Sequence, residues 1–299
     1  MNTAFARLSR IPLTIAVVWT ILVAAVPVAM AHYGPYVVRP GIRCVRTAVP
    51  MRVDQPYPPG ICQSLADLYR IPFFDLFIES MFRSLALLVG AAVLALVVGT
   101  LLGVAGALLR RRAWASGGIV GVTTLLSAVP AFFVAYCLQI VVIIVGATPE
   151  GGKLLPVFGF GYDSHLVLPL LSVSLPAIAF TAQLTATRMQ DVLDSDFITA
   201  ANAKGLRSTR ILFVHVLPHV RPVVLEALGS GLRVSVASLP IIEYLFLWRG
   251  IGQLALESVG VHDAAGVIFS GVVLAGLFTT LSALADVSRP RALFRQTSG

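Results

Sequence analysis

Three ionisable residues interrupt an otherwise apolar stretch of this chain: Glu226, Arg233 and Glu243, all within 223–246. A charged side chain inside a hydrocarbon-compatible helix is costly and normally faces the protein interior or water. Glu226 and Arg233 are seven residues apart, two helical turns, so they share a face; Glu243, ten residues on, falls roughly 80° away. Such a trio can line a water-filled path or pair structurally with another helix, and the spacing leaves both open. His32, His165, His215, His219 and His262 show no metalloprotease spacing, and the cysteines show no C-x-x-C. The nearest approach to a phosphate loop is Gly151-Gly152-Lys153. Ala147 stands where that loop needs its first glycine, and Leu154 where it needs Ser or Thr. With no catalytic constellation, the chain is read as a non-enzymatic protein that binds no metal and no cofactor.

The elements that must position these residues follow from composition. The 299 residues are 57% hydrophobic and 12% charged, with mean hydropathy +0.89. Soluble domains carry about 25% charged residues, so the bilayer is the solvent that suits this chain. Six segments reach the roughly 20 apolar residues a span needs: 11–31, 80–109, 117–147, 166–187, 223–246 and 264–287. The second and third exceed that length, which predicts tilting or extension past the hydrocarbon. Backbone groups in lipid must be satisfied within the segment, so these are helices. A β-barrel would alternate apolar and polar residues, and 85–98 does not. Pro130, Pro169, Pro176 and Pro240 lie in or near spans and can kink them.

With the N-terminus inside, the cytoplasmic segments hold 13 of the 22 basic residues and the outer segments seven, with Arg110–Arg112 the firmest anchor. Both termini are then cytoplasmic. The +8 net charge reflects topology and anionic headgroups rather than nucleic acid. Arg83 is expected to snorkel to the surface, and Cys137 to be a small core residue. A competing reading makes the first segment a secretory signal, with Arg7, Arg10 and Ala29-Met30-Ala31 as its landmarks; its apolar run is long for that.

The domain layout is a first transmembrane helix (1–31), an external Pro-rich loop (32–77), a five-helix core (78–291) with a cytoplasmic loop at 188–222, and a cytoplasmic tail (292–299). Cys44 and Cys62 share the external loop, where an oxidising exterior permits a disulfide; two free thiols are the alternative.

One polar island stands out in the cytoplasmic loop. Ser195 or Asp196 can accept a hydrogen bond from the free amides that open a helix. Asp196 suits its N-terminal dipole end and Lys204 its C-terminal end. Gly205 can take the left-handed conformation that stops it. The product is a helix over 196–204, about 13 Å long, too short and polar to span. Phe197, Ile198 and Leu206 can anchor in a partner's pocket, and Ala200, Ala201 and Ala203 permit close approach. The residues alone slightly favour a helix lying flat on the membrane surface.

These residues resemble the inner-membrane permease subunits of binding-protein-dependent ABC transporters. The family signature is Glu-Ala-Ala, three residues, Gly, nine residues, Ile, one residue, Leu-Pro. Here the matching positions are Thr199-Ala200-Ala201, Gly205, His215 and Leu217-Pro218, with Thr199 replacing Glu and His215 replacing Ile. Val129-Pro130-Ala131-Phe132, Leu155-Pro156, His165 to Pro169, Ser174-Leu175-Pro176 and Glu243 to Gly252 are similar to the B-type permease of dipeptide, oligopeptide and nickel systems. Trp248-Arg249-Gly250 stands where that family often has Trp-Pro-Gly.

The resemblance implies an all-α polytopic protein of the type I importer fold, with six transmembrane helices and a cytoplasmic coupling helix, in a bacterial inner membrane. It implies half of a translocation path for a peptide or similar small solute. The implied partners are a second permease, two ATP-binding subunits that hold ATP and Mg, an external solute-binding protein and membrane lipid. Asp196, Phe197, Ala200, Ala201, Lys204, Gly205 and Leu206 would meet an ATPase. Rival readings are an ion-driven transporter or channel using Glu226, Arg233 and Glu243 as coupling charges, and a membrane scaffold or receptor.

Overall fold

The computed structural model describes residues 73–147, 155–261 and 263–288, together with Thr20. Apart from Thr20, the segment 11–31 lies outside the described residues, as do Cys44, Cys62 and the tail 292–299. Among the described residues every regular element is helical.

Helix α1 (Phe73–Leu94) continues through a π-helical turn (Ala95–Gly99) into α2 (Thr100–Leu108), a single rod that reaches the Arg110–Arg112 cluster. Helices α3 (Ala113–Ala128) and α4 (Ala131–Gly146) follow, then α5 (Val167–Leu193) and the short α6 (Asp196–Ala203). A turn (Ser208–Arg210) and a second π segment (Ile211–Val216) lead into α7 (Leu217–Phe246), and α8 (Ile251–Gly260) and α9 (Ala264–Ser288) complete the bundle. Phe74–Leu108, Ser164–Leu193, Ser208–Phe246 and Ala265–Ala283 are each long and apolar enough to cross a membrane, and the α3–α4 pair makes a fifth crossing if it is one span. Among the described residues the bundle thus has four such helices, or five crossings with that pair counted as one.

Its details differ from the sequence reading. The expected span 117–147 is two helices meeting at 103°, broken at Val129 and Pro130. The residue before a proline is pushed out of the α region, and Val129 sits extended at φ −82, ψ 131. Pro176 and Pro240, by contrast, lie inside unbroken helices. The expected loop 188–222 is almost wholly helical: α5 runs on to Leu193, and the rod ending at Phe246 begins at Ser208 rather than near 223. The stretch between the expected spans 223–246 and 264–287 contains α8. Cys137 is exposed on α4 rather than buried in the core.

Helix α5 is the axis of the bundle. It packs most extensively on α7 and also touches α1, α2, α3 and α4. Without a hydrophobic force between helices in lipid, close packing of small residues does the work. A Cβ on Gly103 would lie 2.7 Å from the Ala182 carbonyl oxygen, and one on Gly229 2.6 Å from Ala285 Cβ. Gly231 meets Ala177 in the same way. Ser235 Oγ donates across the α5–α7 seam to the Val173 carbonyl at 2.7 Å. Gln139 of α4, almost fully buried, donates to the Leu245 carbonyl at 2.8 Å, satisfying an acceptor in the last turn of α7.

Candidate functional site: a short helix fixed to the end of the bundle

Helix α6 stands at the same end of the bundle as the Arg110–Arg112 cluster. Its start follows a tight turn at Asp194 and Ser195. Ser195 is in the extended conformation of an N-cap, but its hydroxyl donates back to the Val192 carbonyl at 2.5 Å and makes no cap bond to α6. The predicted side-chain cap is therefore absent, while Asp196 does occupy the first turn.

The C-terminal stop takes the predicted form. Gly205 has φ +72. Its N–H bonds the Asn202 carbonyl at 2.9 Å, and the Leu206 N–H bonds the Ala201 carbonyl at 3.3 Å. These are the two bonds of a Schellman motif. Nothing lies within 4 Å of a Cβ placed on Gly205, so backbone conformation and not space selects glycine here.

The inner face of α6 is set by Ile198 and Ala201. Both are buried in a cluster with Ala107, Met189, Val192, Ile211, Val216, Val220 and Val224, against which Leu206 also packs. Asp196, Phe197, Thr199, Ala200, Asn202, Ala203 and Lys204 are exposed. This corrects the sequence reading on three residues: Ile198, Ala201 and Leu206 anchor the helix to its own bundle rather than facing outward. Two further contacts fix the unit. Arg110 at the end of the first rod pairs with Asp194 at 2.6 Å. The Phe197 ring lies 5.3 Å from that of His219 on α7, whose Nδ1 is 2.7 Å from the His215 carbonyl oxygen. The result is a rigid helix with a free polar face, joined to three long helices.

The three charged residues of 223–246 do not form one site. Glu243 is fully buried. Ser84 Oγ donates to its Oε1 at 2.5 Å, and the N–H groups of Gly252 and Gln253 donate to its Oε2 at 2.8 and 3.1 Å. Ser84 Oγ in turn accepts from the Ile251 N–H at 2.8 Å. The free amides that open α8 are thus satisfied by side chains of α1 and α7, with a carboxylate at the positive end of the helix dipole. Glu243 is a structural anchor in this conformation and has no surface with which to line a path. Glu226 and Arg233 are half-buried, and Arg233 donates to Ser230 Oγ at 2.9 Å.

An aromatic lock that sequence reasoning missed closes the opposite end. Trp248 is fully buried, its indole N–H bonding the Arg83 carbonyl at 3.2 Å. Phe160 stacks edge-on against it at 4.9 Å and against Tyr162 at 5.2 Å. The Arg83 guanidinium, paired with Glu79, lies 4.2 Å over the Phe160 ring. Arg83 therefore packs inward and does not snorkel.

The same end carries Asp163 and His165. His165 Nδ1 is 2.7 Å from Asp163 Oδ1, and the His165 N–H reaches the same oxygen at 3.1 Å. These hydrogen bonds, the side-chain one first, hold the Asp163 carboxyl below its ordinary range.

The described residues thus form a multi-span helical bundle that projects one short, rigid helix from one end. A solved structure titled as inward-facing MetNI methionine ABC transporter shares the fold, at TM-score 0.54 and 15% identity over 73% of this chain and 99% of that one. The family model described as binding-protein-dependent transport system inner membrane component matches residues 95–293, and the chain belongs to that family. Its relatives include a probable peptide ABC transporter permease of Sinorhizobium fredii, 27% identical over 73% of this chain and 70% of the relative. A metal-staphylopine import system permease of Staphylococcus aureus is 25% identical over 69% and 63%. An oligopeptide transport system permease of Bacillus subtilis is 28% identical over 72% and 69%. The chain is a multi-pass permease component of an ABC importer.

Proposed function

We propose that this chain forms half of a translocation path for a peptide or similar small solute, working with a second permease, two ATP-binding subunits and an external solute-binding protein. ATP and Mg are held by the ATP-binding subunits, and this chain carries out no hydrolysis. The termini face the cytoplasm, on the side of α6. The supporting observation is the construction of α6. Its buried Ile198 and Ala201, its Gly205 stop and the Arg110–Asp194 pair make it one body with α2, α5 and α7. A displacement applied to its exposed face by an ATPase is then passed to the helices it is bonded to rather than lost in a flexible loop. Asp196, Phe197, Ala200 and Lys204 form the face presented to that ATPase, and Gly205 and Leu206 hold it in place.

The peptide assignment draws support from the relatives named as peptide and oligopeptide permeases. The test is uptake of labelled di- and oligopeptides by membranes carrying the full set of subunits, with a cysteine at Ala200 crosslinked to the ATPase. Crosslinking together with ATP-dependent uptake is the expected result. Gradient-driven uptake by the chain alone, with no ATPase attached, overturns it in favour of an ion-driven transporter.

A further inference from the structure

The two π-helical segments among the described residues, Ala95–Gly99 and Ile211–Val216, contribute to the walls of a single groove. Leu96 and Thr100 form one side, and Phe213, Leu217, Val220 and Val224 line the other, with Arg221 the only charged residue among those that line it. A π turn inserts a residue into a helix and re-aims the side chains around it, which is why such turns gather at functional sites. Here two of them on different rods help to line the same opening. Its volume is about 480 Å³, within the roughly 300–1,000 Å³ of small-molecule sites.

The groove has a defined depth. Arg221 is 25 residues from the outer end of α7 at Phe246, about 37 Å along the helix. Counted from a hydrocarbon edge at Phe246, that is about 7 Å past the roughly 30 Å core, at the depth of the headgroups on that side. Arg221 is exposed and lies on the side of the bundle that carries α6, and Phe213 is 66% exposed. An apolar groove open at headgroup level, with a guanidinium at its lip, matches a molecule that has a hydrocarbon chain attached to a phosphate. Guanidinium forms charge-assisted hydrogen bonds to phosphate oxygens in a fork geometry.

We propose that this groove binds one anionic phospholipid of the leaflet on the side of α6, with the phosphate at Arg221 and an acyl chain running from there past Val224 and Leu96 toward the hydrocarbon. The lipid wedges between the first rod and α7 just above the α6 platform, so it bears on how firmly those rods hold together. This reading does not depend on the identity of the transported solute.

The test uses the full-length chain purified with its partner subunits, stripped of lipid and titrated with phosphatidylglycerol or with phosphatidylcholine of the same acyl chains, read by native mass spectrometry. Phosphatidylglycerol is expected to be retained in preference. Arg221→Gln weakens its binding about five-fold, as expected for one basic side chain at a membrane surface, and removes the preference. Val224→Trp fills the groove and abolishes retention of both lipids. Should that variant fail to assemble, a photoreactive residue at Phe213 in native membranes gives an independent reading, and capture of phospholipid supports the site. Three results overturn it: unchanged lipid preference in Arg221→Gln, displacement of phosphatidylglycerol by inorganic phosphate alone, or capture of a second permease chain from position 213.

Discussion

Glu243 on α7 and Ser84 on α1 are joined by a 2.5 Å hydrogen bond across 159 residues of chain, and both are fully buried. Between them they satisfy the N–H groups of Ile251, Gly252 and Gln253, so that α8 is held by two other helices. The glycines of this motif follow from the same geometry. A Cβ on Gly250 would fall on the Glu243 carboxylate, and one on Gly252 would lie 2.6 Å from Pro240 Cα. Removing the carboxylate leaves two buried amides and a hydroxyl without their acceptor, at about 1–3 kcal/mol for each group. Glu243→Ala is therefore expected to lose at least about 3 kcal/mol, and Glu243→Gln, which keeps one oxygen, about 1 kcal/mol. Thermal unfolding in detergent, followed by Trp248 fluorescence, measures both. An alanine variant that melts with the wild type would sink this account.

Arg249 tests the departure from the Trp-Pro-Gly pattern. It sits at φ +57, and its N–H donates to Gln253 Oε1 at 2.6 Å. Proline can supply neither the positive φ nor the donor, so this backbone requires the departure seen in the sequence. Arg249→Gly is expected to stabilise the protein by about 1 kcal/mol through relief of left-handed strain. Arg249→Pro is expected to cost about 3 kcal/mol or more. The order Gly, wild type, Pro in melting temperature is the outcome to check.

The long apolar helices were legible because uninterrupted apolar length is a property of sequence alone. The stop at Gly205 was legible because only a few residues accept positive φ. The break at Pro130 was not, since a proline within a span can bend it or end it; Pro176 and Pro240 leave their helices intact while Val129 goes extended. Helix α8 was hidden because its opening amides are satisfied by Ser84, far away in sequence, so no local cap announced it. The inward turn of Ala201 depends on the phase at which α6 meets the bundle, which its own eight residues do not encode.

The turn at 163–166 should respond to acid. The Asp163 carboxyl lies below its ordinary value, 3.8, chiefly because of its side-chain hydrogen bond with His165 and then that residue's N–H. A depressed carboxylate stabilises the folded turn at pH above the unfolded value, and this is lost as pH falls through the folded value, below 3.8. Protection of the 163–166 amides against hydrogen exchange, taken relative to the intrinsic rate at each pH, is expected to fall in that acid range, with the neutral-pH pattern preserved. Asp163→Asn should abolish the acid-dependent step. An identical acid response in that variant would place the cause elsewhere.

Gly205 carries the stop of α6 at φ +72. Gly205→Asn, a residue that tolerates the left-handed region, should retain ATP-driven uptake, whereas Gly205→Ala carries about 1–2 kcal/mol of strain. Gly205→Glu adds negative charge at the negative end of the helix dipole as well. It is expected to assemble yet uncouple ATP hydrolysis from transport. Normal uptake by a correctly assembled Gly205→Glu complex would contradict the transmitting role of α6.

Ala200 and Ala201 separate docking from folding most sharply. They are adjacent and chemically identical, but Ala200 is exposed while Ala201 is 8% exposed and faces Met189, Ile211 and Val216. A tryptophan at 201 must displace that cluster, and overpacking of this kind costs about 1–3 kcal/mol or more. A tryptophan at 200 meets only what docks on the outer face. Ala201→Trp is therefore expected to lower the melting temperature and the yield of the isolated permease. Ala200→Trp should leave both unchanged and reduce co-purification of the ATPase. The two measurements together assign each face of α6, because a helix lying loosely on the membrane would tolerate both substitutions alike.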